Sequence, residues 1–241
     1  MKRLLDVVGA FFGMMILSPL FLIVMALIWF QDFKSPLYIS PRVGKSGKEF
    51  KMIKLRSMRV HLANSGPLST SSDDDRITSV GYFIRKFKLD ELSQLWNVFK
   101  GDMSLVGPRP NVKEETDLYT NVEKKILSAK PGITDFSSIV FSDEANILTN
   151  TKNPDLAYNQ LVRPWKSRLG LIYIENRTLV LDLQIIFYTV VSIFRKKLAL
   201  AWVSTKLEKL GVDESVIDVS RRQKNLTPFP PPGADEVVTH R

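Results

Sequence analysis

The 241-residue chain contains no cysteine. Disulfides, thiol nucleophiles and thiolate metal sites are therefore excluded. Histidine is nearly as scarce, with His61 and His240 the only two. A histidine-ligated metal or a serine–histidine mechanism is disfavoured, so acid–base or nucleophilic work falls to carboxylates, lysines or hydroxyls. The chain shows no internal repeat. It also lacks the interleaved aromatic and basic residues with which a groove or sheet binds nucleic acid.

What the chain has is a net charge of +9 and one long apolar block. Nucleic acid, an anionic membrane surface or a phosphate-rich substrate would each suit such a charge. The block, VVGAFFGMMILSPLFLIVMALIWF over residues 7–30, carries no charge, and Lys2, Arg3 and Asp6 stand just before it. No small-residue cleavage site follows, so it does not read as a signal peptide. As a straight helix it would extend roughly 36 Å, enough for a bilayer core of about 30 Å. Ser18-Pro19 interrupts it at the midpoint. The proline removes a donor and clashes with the Met15 carbonyl, so a kink is expected, and the serine hydroxyl can satisfy a freed backbone group. Basic residues on both flanks (Lys2 and Arg3; Lys34, Arg42, Lys45 and Lys48) leave the orientation open. On the residues alone, a kinked spanning helix is slightly favoured over a hairpin that enters and leaves by one face.

Residues 37–42 and 49–55 alternate around a turn-forming stretch at 43–48 and predict a β-hairpin. Its second strand leads into Lys54, Arg56 and Arg59, which are either solvated cations beside a membrane or phosphate contacts. Residues 63–76 predict a polar loop, whose Asp73-Asp74-Asp75 run reads more readily as solvated than as a metal site. Leu89, Leu92, Leu95, Trp96 and Phe99 recur at helical spacing up to Lys100-Gly101. Asp90 and Glu91 would then fall in the first turns of that helix. There the dipole favours their ionised forms, and acidic residues are also ordinary helix design. Gly107-Pro108-Arg109-Pro110 stiffens the backbone on both sides of an arginine, which suits either an oriented guanidinium or a rigid exposed turn. Lys130-Pro131-Gly132-Ile133-Thr134 predicts another turn, and residues 154–168 a helix of mixed character. Leu179–Phe194 predicts an apolar helix lying at an interface or buried in a core. The segment after about residue 221 is Pro-rich and is expected to lack a packed core.

Taken together these stretches resemble the monotopic phosphoglycosyl transferases, the bacterial sugar transferases that begin the assembly of polysaccharides and other glycoconjugates. The matching pieces are Ser18-Pro19, Lys54 through Met58, Arg76 through Gly81, Leu89-Asp90-Glu91-Leu92, Asn97 through Pro110, Lys130 through Thr134, and Leu181-Asp182-Leu183. They run in collinear order over roughly residues 1–195, and Leu89 through Pro110 is the most specific part. The chain departs from the pattern at Lys88, where many members place Ser or Thr, and at Ser93, where many place Pro. It also lacks the common Gly-Arg-Asn stretch after the Pro-Gly-Ile-Thr turn, where it reads Asp135 through Glu144, and Gly170 stands where an acidic residue is common. This divergence leaves the sugar open.

The resemblance implies an α+β, mostly helical protein with a small β-hairpin and interfacial amphipathic helices. Residues 1–33 would form a re-entrant membrane helix hairpin broken at Ser18 and Pro19, which reverses the preference for a spanning helix. Residues 34–200 would form the catalytic domain at the cytoplasmic face of the bacterial inner membrane, with a C-terminal extension over 201–241. It implies transfer of a sugar 1-phosphate from a UDP-sugar to polyprenyl (undecaprenyl) phosphate, with Mg²⁺ as cofactor and UMP released. Asp90 would be the nucleophile and Glu91 the metal-holding partner of a catalytic pair. Lys54 and Arg85 would hold phosphates, and Arg109 with Pro110 the nucleotide end. Partners would be the donor, the lipid acceptor and membrane lipids, with no nucleic acid and with a homodimer left open. The competing reading is a non-enzymatic membrane adaptor that binds anionic lipid or a partner protein.

Overall fold

The computed structural model describes residues 1–62 and 66–240, so positions 63–65 of the expected polar loop lie outside the described residues. The apolar block forms one long helix, α1 (Lys2–Phe30). Among the described residues it is the one helix long and apolar enough to cross a membrane. Pro19 lies inside it, and the Ser18 hydroxyl donates to the Met15 carbonyl at 2.8 Å. That carbonyl is the one Pro19 leaves without its usual donor, so the serine repairs the break that the proline makes.

The predicted hairpin follows, with β1 (Leu37–Val43) antiparallel to β2 (Glu49–Leu55) and Leu37 facing Leu55. Then come α2 (Ser79–Lys86), a 3₁₀ turn at Leu89–Glu91, α3 (Gln94–Lys100) and β3 (Ser104–Val106). After α4 (Lys113–Thr116), β4 (Gly132–Thr134) pairs in parallel with β3. Short helices α5 (Phe136–Val140), α6 (Glu144–Ile147) and α7 (Pro154–Ala157) precede a π turn, Tyr158–Val162. The fold ends in α8 (Arg163–Asn176), α9 (Leu179–Phe194), α10 (Lys196–Lys209) and α11 (Glu214–Arg221). Among the described residues the protein is thus mostly helical with the expected β-hairpin, and β3–β4 adds a second small sheet that the sequence did not predict.

Its main core joins Phe136, Ile139 and Val140 of α5 to Trp165, Leu169 and Tyr173 of α8, Leu181 and Ile185 of α9, and Val203 and Leu207 of α10. A buried ion pair, Arg163 to Glu123 at 2.5 Å, ties α8 to the segment before β4. The α1 helix lies against this body near both ends. At its start, Lys2 donates to Asp182 at 2.6 Å, Arg3 donates to the Val98 and Phe99 carbonyls, and Asp6 accepts from Ser104 and the Leu105 amide. Towards its end, Val24 and Ile28 are buried with Leu55 and Ile84. Just beyond it, Asp32 takes a bidentate contact from Arg56 at 2.5 and 2.6 Å.

Two expectations change. The tail beyond residue 221 does make packed contacts. Phe229 lies 4.4 Å from Trp165 between ring centroids, Arg168 donates to the Pro230 carbonyl at 2.9 Å, and Thr120 donates to the Pro232 carbonyl. A proline-rich strand keeps its carbonyls free, so side chains of a neighbouring body can capture it once one aromatic residue is anchored. The second change concerns the helix that was to carry Asp90 and Glu91. α3 begins only at Gln94, and the two carboxylates sit on the preceding 3₁₀ turn. Lys88 adopts a left-handed conformation, with φ of 54°, that turns the chain out of α2. The Ser93 hydroxyl is then spent on the Ile53 and Asp90 carbonyls.

Candidate active site

Two side chains, one just before α3 and one within it, pin this region to β2 through three hydrogen bonds. Ser93 donates to the Ile53 carbonyl at 3.0 Å, and Asn97 both accepts from the Ile53 amide and donates to the Lys51 carbonyl. Lys54, the next residue of the strand, is thereby set opposite Asp90, with Nζ 3.7 Å from Oδ2. In a 3₁₀ turn neighbouring side chains point about 120° apart. Glu91 accordingly faces another cation, Arg109, whose guanidinium donates to Oε1 at 2.5 Å. Arg85, in the last turn of α2, is oriented by its bond to the Ser57 hydroxyl at 2.9 Å. The left-handed Lys88 turns the chain between Arg85 and Asp90.

Two glycines allow Arg109 its place. A Cβ on Gly132 would stand 2.1 Å from the Gly107 amide nitrogen, and one on Gly107 would stand 2.4 Å from the Lys130 carbonyl oxygen. The stretches Gly107 through Pro110 and Lys130 through Thr134 therefore meet backbone to backbone at β3 and β4. A third glycine, Gly81, seats α2 on the Ser57 carbonyl, where a Cβ would come within 2.0 Å.

These elements surround a cleft of about 560 Å³. Asp90, Glu91, Lys54, Arg85, Arg109 and Pro110 all line it, so the residues singled out in the sequence converge on one site. Arg42, Arg56, Arg76, Lys88 and Lys166 add to its basic lining. Asp74 pairs with Arg76 at 2.6 Å. The far wall carries the Glu144–Lys166 ion pair, with Lys166 over the Tyr158 ring, 5.4 Å from its centroid. Neither partner of that pair was legible as a site residue, since each is an ordinary charge in its own local stretch. The resemblance assigned Arg109 to the nucleotide end; in the structure its guanidinium is drawn onto Glu91. Ser18 and Pro19 lie in the middle of α1, outside this lining.

The electrostatics are those of a site short of negative charge. Burial, and then the neighbouring Arg109, push Lys54 down to about 8. Burial also lowers Arg42, Arg85 and Lys88. Burial raises Asp90 against the opposing pull of Lys54. Burial would raise Glu91 too, but Arg109, Lys54 and Lys88 outweigh it and hold the carboxyl at about 2. The pair is thereby split into a permanently ionised Glu91 and a poorly solvated, more basic Asp90. Because Lys54 titrates near 8 in the free protein, its phosphate-attracting charge is present below that pH and lost above it. We expect kcat/KM for an anionic donor to fall as pH rises through about 8, and Lys54→Arg to move this alkaline limb upward by more than about one unit. An unchanged limb in a pH profile of the variant would assign it to another group.

A carboxylate pair thus stands in a cleft of partly buried cations. Comparison with known proteins makes the class specific. The bacterial sugar transferase family matches residues 1–196. The exopolysaccharide production protein ExoY of Sinorhizobium fredii is 34% identical over 204 residues, covering 78% of this chain and 83% of ExoY. The undecaprenyl-phosphate galactose phosphotransferase of Salmonella typhimurium is 36% identical over 217 residues, 81% of this chain and 41% of that protein. The UDP-galactose-lipid carrier transferase of Erwinia amylovora is 39% identical over 149 residues, 56% of this chain and 31% of that protein. The chain belongs to the bacterial sugar transferases. It spans most of ExoY but less than half of the other two relatives, and α11 and the proline-rich tail lie beyond the family match.

Proposed function

We propose that this sugar transferase moves a sugar 1-phosphate from a UDP-sugar to a polyprenyl phosphate through a covalent intermediate on Asp90. The observation that carries the reading is the cluster of partly buried cations around the two carboxylates. A diphosphate would satisfy several of them at once, and Asp90 sits among them as the basic member of the pair. An oxygen of the Asp90 carboxylate attacks the phosphorus next to the sugar, and the bond to the UMP oxygen breaks. The acyl phosphate so formed carries the sugar phosphate. An oxygen of the lipid phosphate then attacks the same phosphorus, freeing the Asp90 carboxylate and yielding a polyprenyl diphosphosugar. Nucleophile and leaving groups are all anions, so the protein's task is positioning and charge neutralisation. Lys54 and Arg85 hold phosphate oxygens, and Arg109 orients Glu91 and reaches the donor.

The site also fits a magnesium ion. No group of three or more acidic or histidine side chains is gathered for a metal among the described residues. Magnesium takes one or two carboxylates and completes its shell with water and substrate phosphates. Glu91, held ionised at about 2, is the residue that would hold it. When bound, the ion neutralises charge on the diphosphate.

The contacts of α1 support a re-entrant arrangement in the membrane. A helix of that length extends about 43 Å, yet its start contacts Asp182 and its exit contacts Arg56 on the same body. In this reading both ends stay on one face, with Ser18-Pro19 deepest in the bilayer. The outer face of α9, where Val180, Leu183, Phe187, Val190 and Phe194 are exposed at helical spacing, rests at the headgroups. The active site then opens at the cytoplasmic face, where a lipid phosphate lies. Since the chain has no cysteine, Leu4→Cys and Phe33→Cys give clean labelling sites at two exposed positions. Both should react with an impermeant reagent from the cytoplasmic side, whereas Leu4→Cys reacting only from the opposite side would overturn the hairpin.

The chemistry is tested by UMP release from a panel of UDP-sugars with Mg²⁺ and polyprenyl phosphate. Release with one or a few donors supports the transfer and identifies the sugar. No release from any donor would favour an adaptor that keeps the fold without the reaction.

A further inference from the structure

The reaction needs a lipid acceptor whose phosphate reaches Asp90 while its apolar chain stays out of water. The cleft itself is polar and cationic near the carboxylates, so the chain must leave it along an apolar path. α2 offers one. Gly81 and Ile84 face inward, and Arg85 turns into the cleft towards Ser57. The opposite face presents Phe83 and Phe87, one helical turn apart, exposed by 52% and 36%, with ring centroids 5.0 Å apart. Lys86 lies over the Phe87 ring, 5.7 Å from its centroid. Phe87 stands three positions before Asp90, a reach of at most about 11 Å.

We propose that the Phe83–Phe87 face of α2 is the docking surface for the first isoprenyl units of the polyprenyl phosphate acceptor. This rests on the transferase reading given above. Charge and apolar surface lie side by side along one short element. Arg85 and Lys88 supply cations for the phosphate, and the two rings supply apolar surface within the length of an isoprenyl unit or two. Packed aromatic rings bind branched unsaturated hydrocarbon through area and polarizability without demanding a fixed orientation. A second exposed aromatic pair, Trp96 and Phe99 on α3, is stacked at 5.9 Å but belongs to a helix that contributes nothing to the cleft. It provides the control for general contact with a bilayer.

The test uses the full chain in detergent, with undecaprenyl phosphate and with a two-isoprene phosphate as acceptors. Two double variants are compared, Phe83→Ala with Phe87→Ala, and Trp96→Ala with Phe99→Ala. The first should raise the acceptor KM at least about tenfold for both lipids, with an unchanged burst of UMP per enzyme when acceptor is omitted. The α3 variant should leave the acceptor KM within about twofold of wild type. Vesicle sedimentation should show equal membrane binding for both. An unchanged acceptor KM in the α2 variant would overturn the inference. So would an equal rise in the α3 variant, which would mark a general bilayer contact, or loss of the burst in the α2 variant, which would mark damage at Asp90. If wild type itself gave no burst with any donor, the transferase reading would fail first, and the inference with it.

Discussion

Replacing Asp90 with Asn should lower sugar-phosphate transfer by on the order of 10⁴-fold or more, since the carboxamide has no anionic oxygen with which to attack phosphorus. The change keeps size and shape in a side chain whose exposure is only 15%. It removes the negative charge facing Lys54 at 3.7 Å. The site would then be still shorter of negative charge, so the anionic donor should bind no more weakly than to wild type. The expected signature is therefore a collapsed kcat, a donor Kd that is unchanged or lower, and a melting temperature within a few degrees of wild type. Turnover near the wild-type rate would show that Asp90 is not the nucleophile. A parallel loss of donor binding and stability would show that its role is structural.

Gly132→Ala is expected to disrupt the fold strongly. Its Cβ would meet the Gly107 amide nitrogen at 2.1 Å, the Gly107 carbonyl oxygen at 2.5 Å and the Gly107 Cα at 2.6 Å. All three are backbone atoms, so no flexible side chain can swing aside. β3 and β4 must separate, and their parallel pairing of Ser104 with Gly132 and Val106 with Thr134 is lost or displaced. Overpacking of this kind costs about 3 kcal/mol or more, a fall in melting temperature of roughly 6–12 °C for a chain of this size. Because Arg109 leaves β3 two residues after Gly107, activity should fall even in molecules that stay folded. A melting curve in detergent matching wild type would show that the two backbones can part at little cost.

Sequence reading succeeded where a local pattern decides the outcome. The alternation over residues 37–55 produced β1 and β2, and the apolar run Leu179–Phe194 became α9 with the same limits. The repair of the Pro19 break by Ser18 is also local, since it acts within one helical turn. The Asp90–Glu91 pair and Arg109 drew attention through type and spacing, and they do meet at the cleft. What escaped depends on contacts between distant segments. The start of α3 is set by a left-handed Lys88 and by Ser93 bonding to Ile53, and the helical periodicity carries neither fact. The tail reads as proline-rich and polar, yet Phe229 finds the indole of Trp165 in the core. Lys166 and Glu144 become a cleft wall only after α6 and α8 are brought face to face.

The lowered pKa values around the cleft have the same origin. Each cation looks like a surface charge in its own segment. Their crowding arises when β1, β2, α2 and the Gly107 through Pro110 stretch converge. That crowding, together with burial, turns an ordinary basic composition into a cleft of closely set, poorly solvated cations.

A covalent phosphosugar on Asp90 is tested most directly by intact mass followed by peptide mapping. Enzyme incubated with its UDP-sugar and Mg²⁺ in the absence of lipid acceptor should gain the mass of one sugar phosphate. The gain should map to the peptide containing Asp90, disappear when polyprenyl phosphate is added, and be missing in Asp90→Asn. A wild-type enzyme that completes transfer without ever acquiring that mass, or that carries it on another residue, would contradict the account.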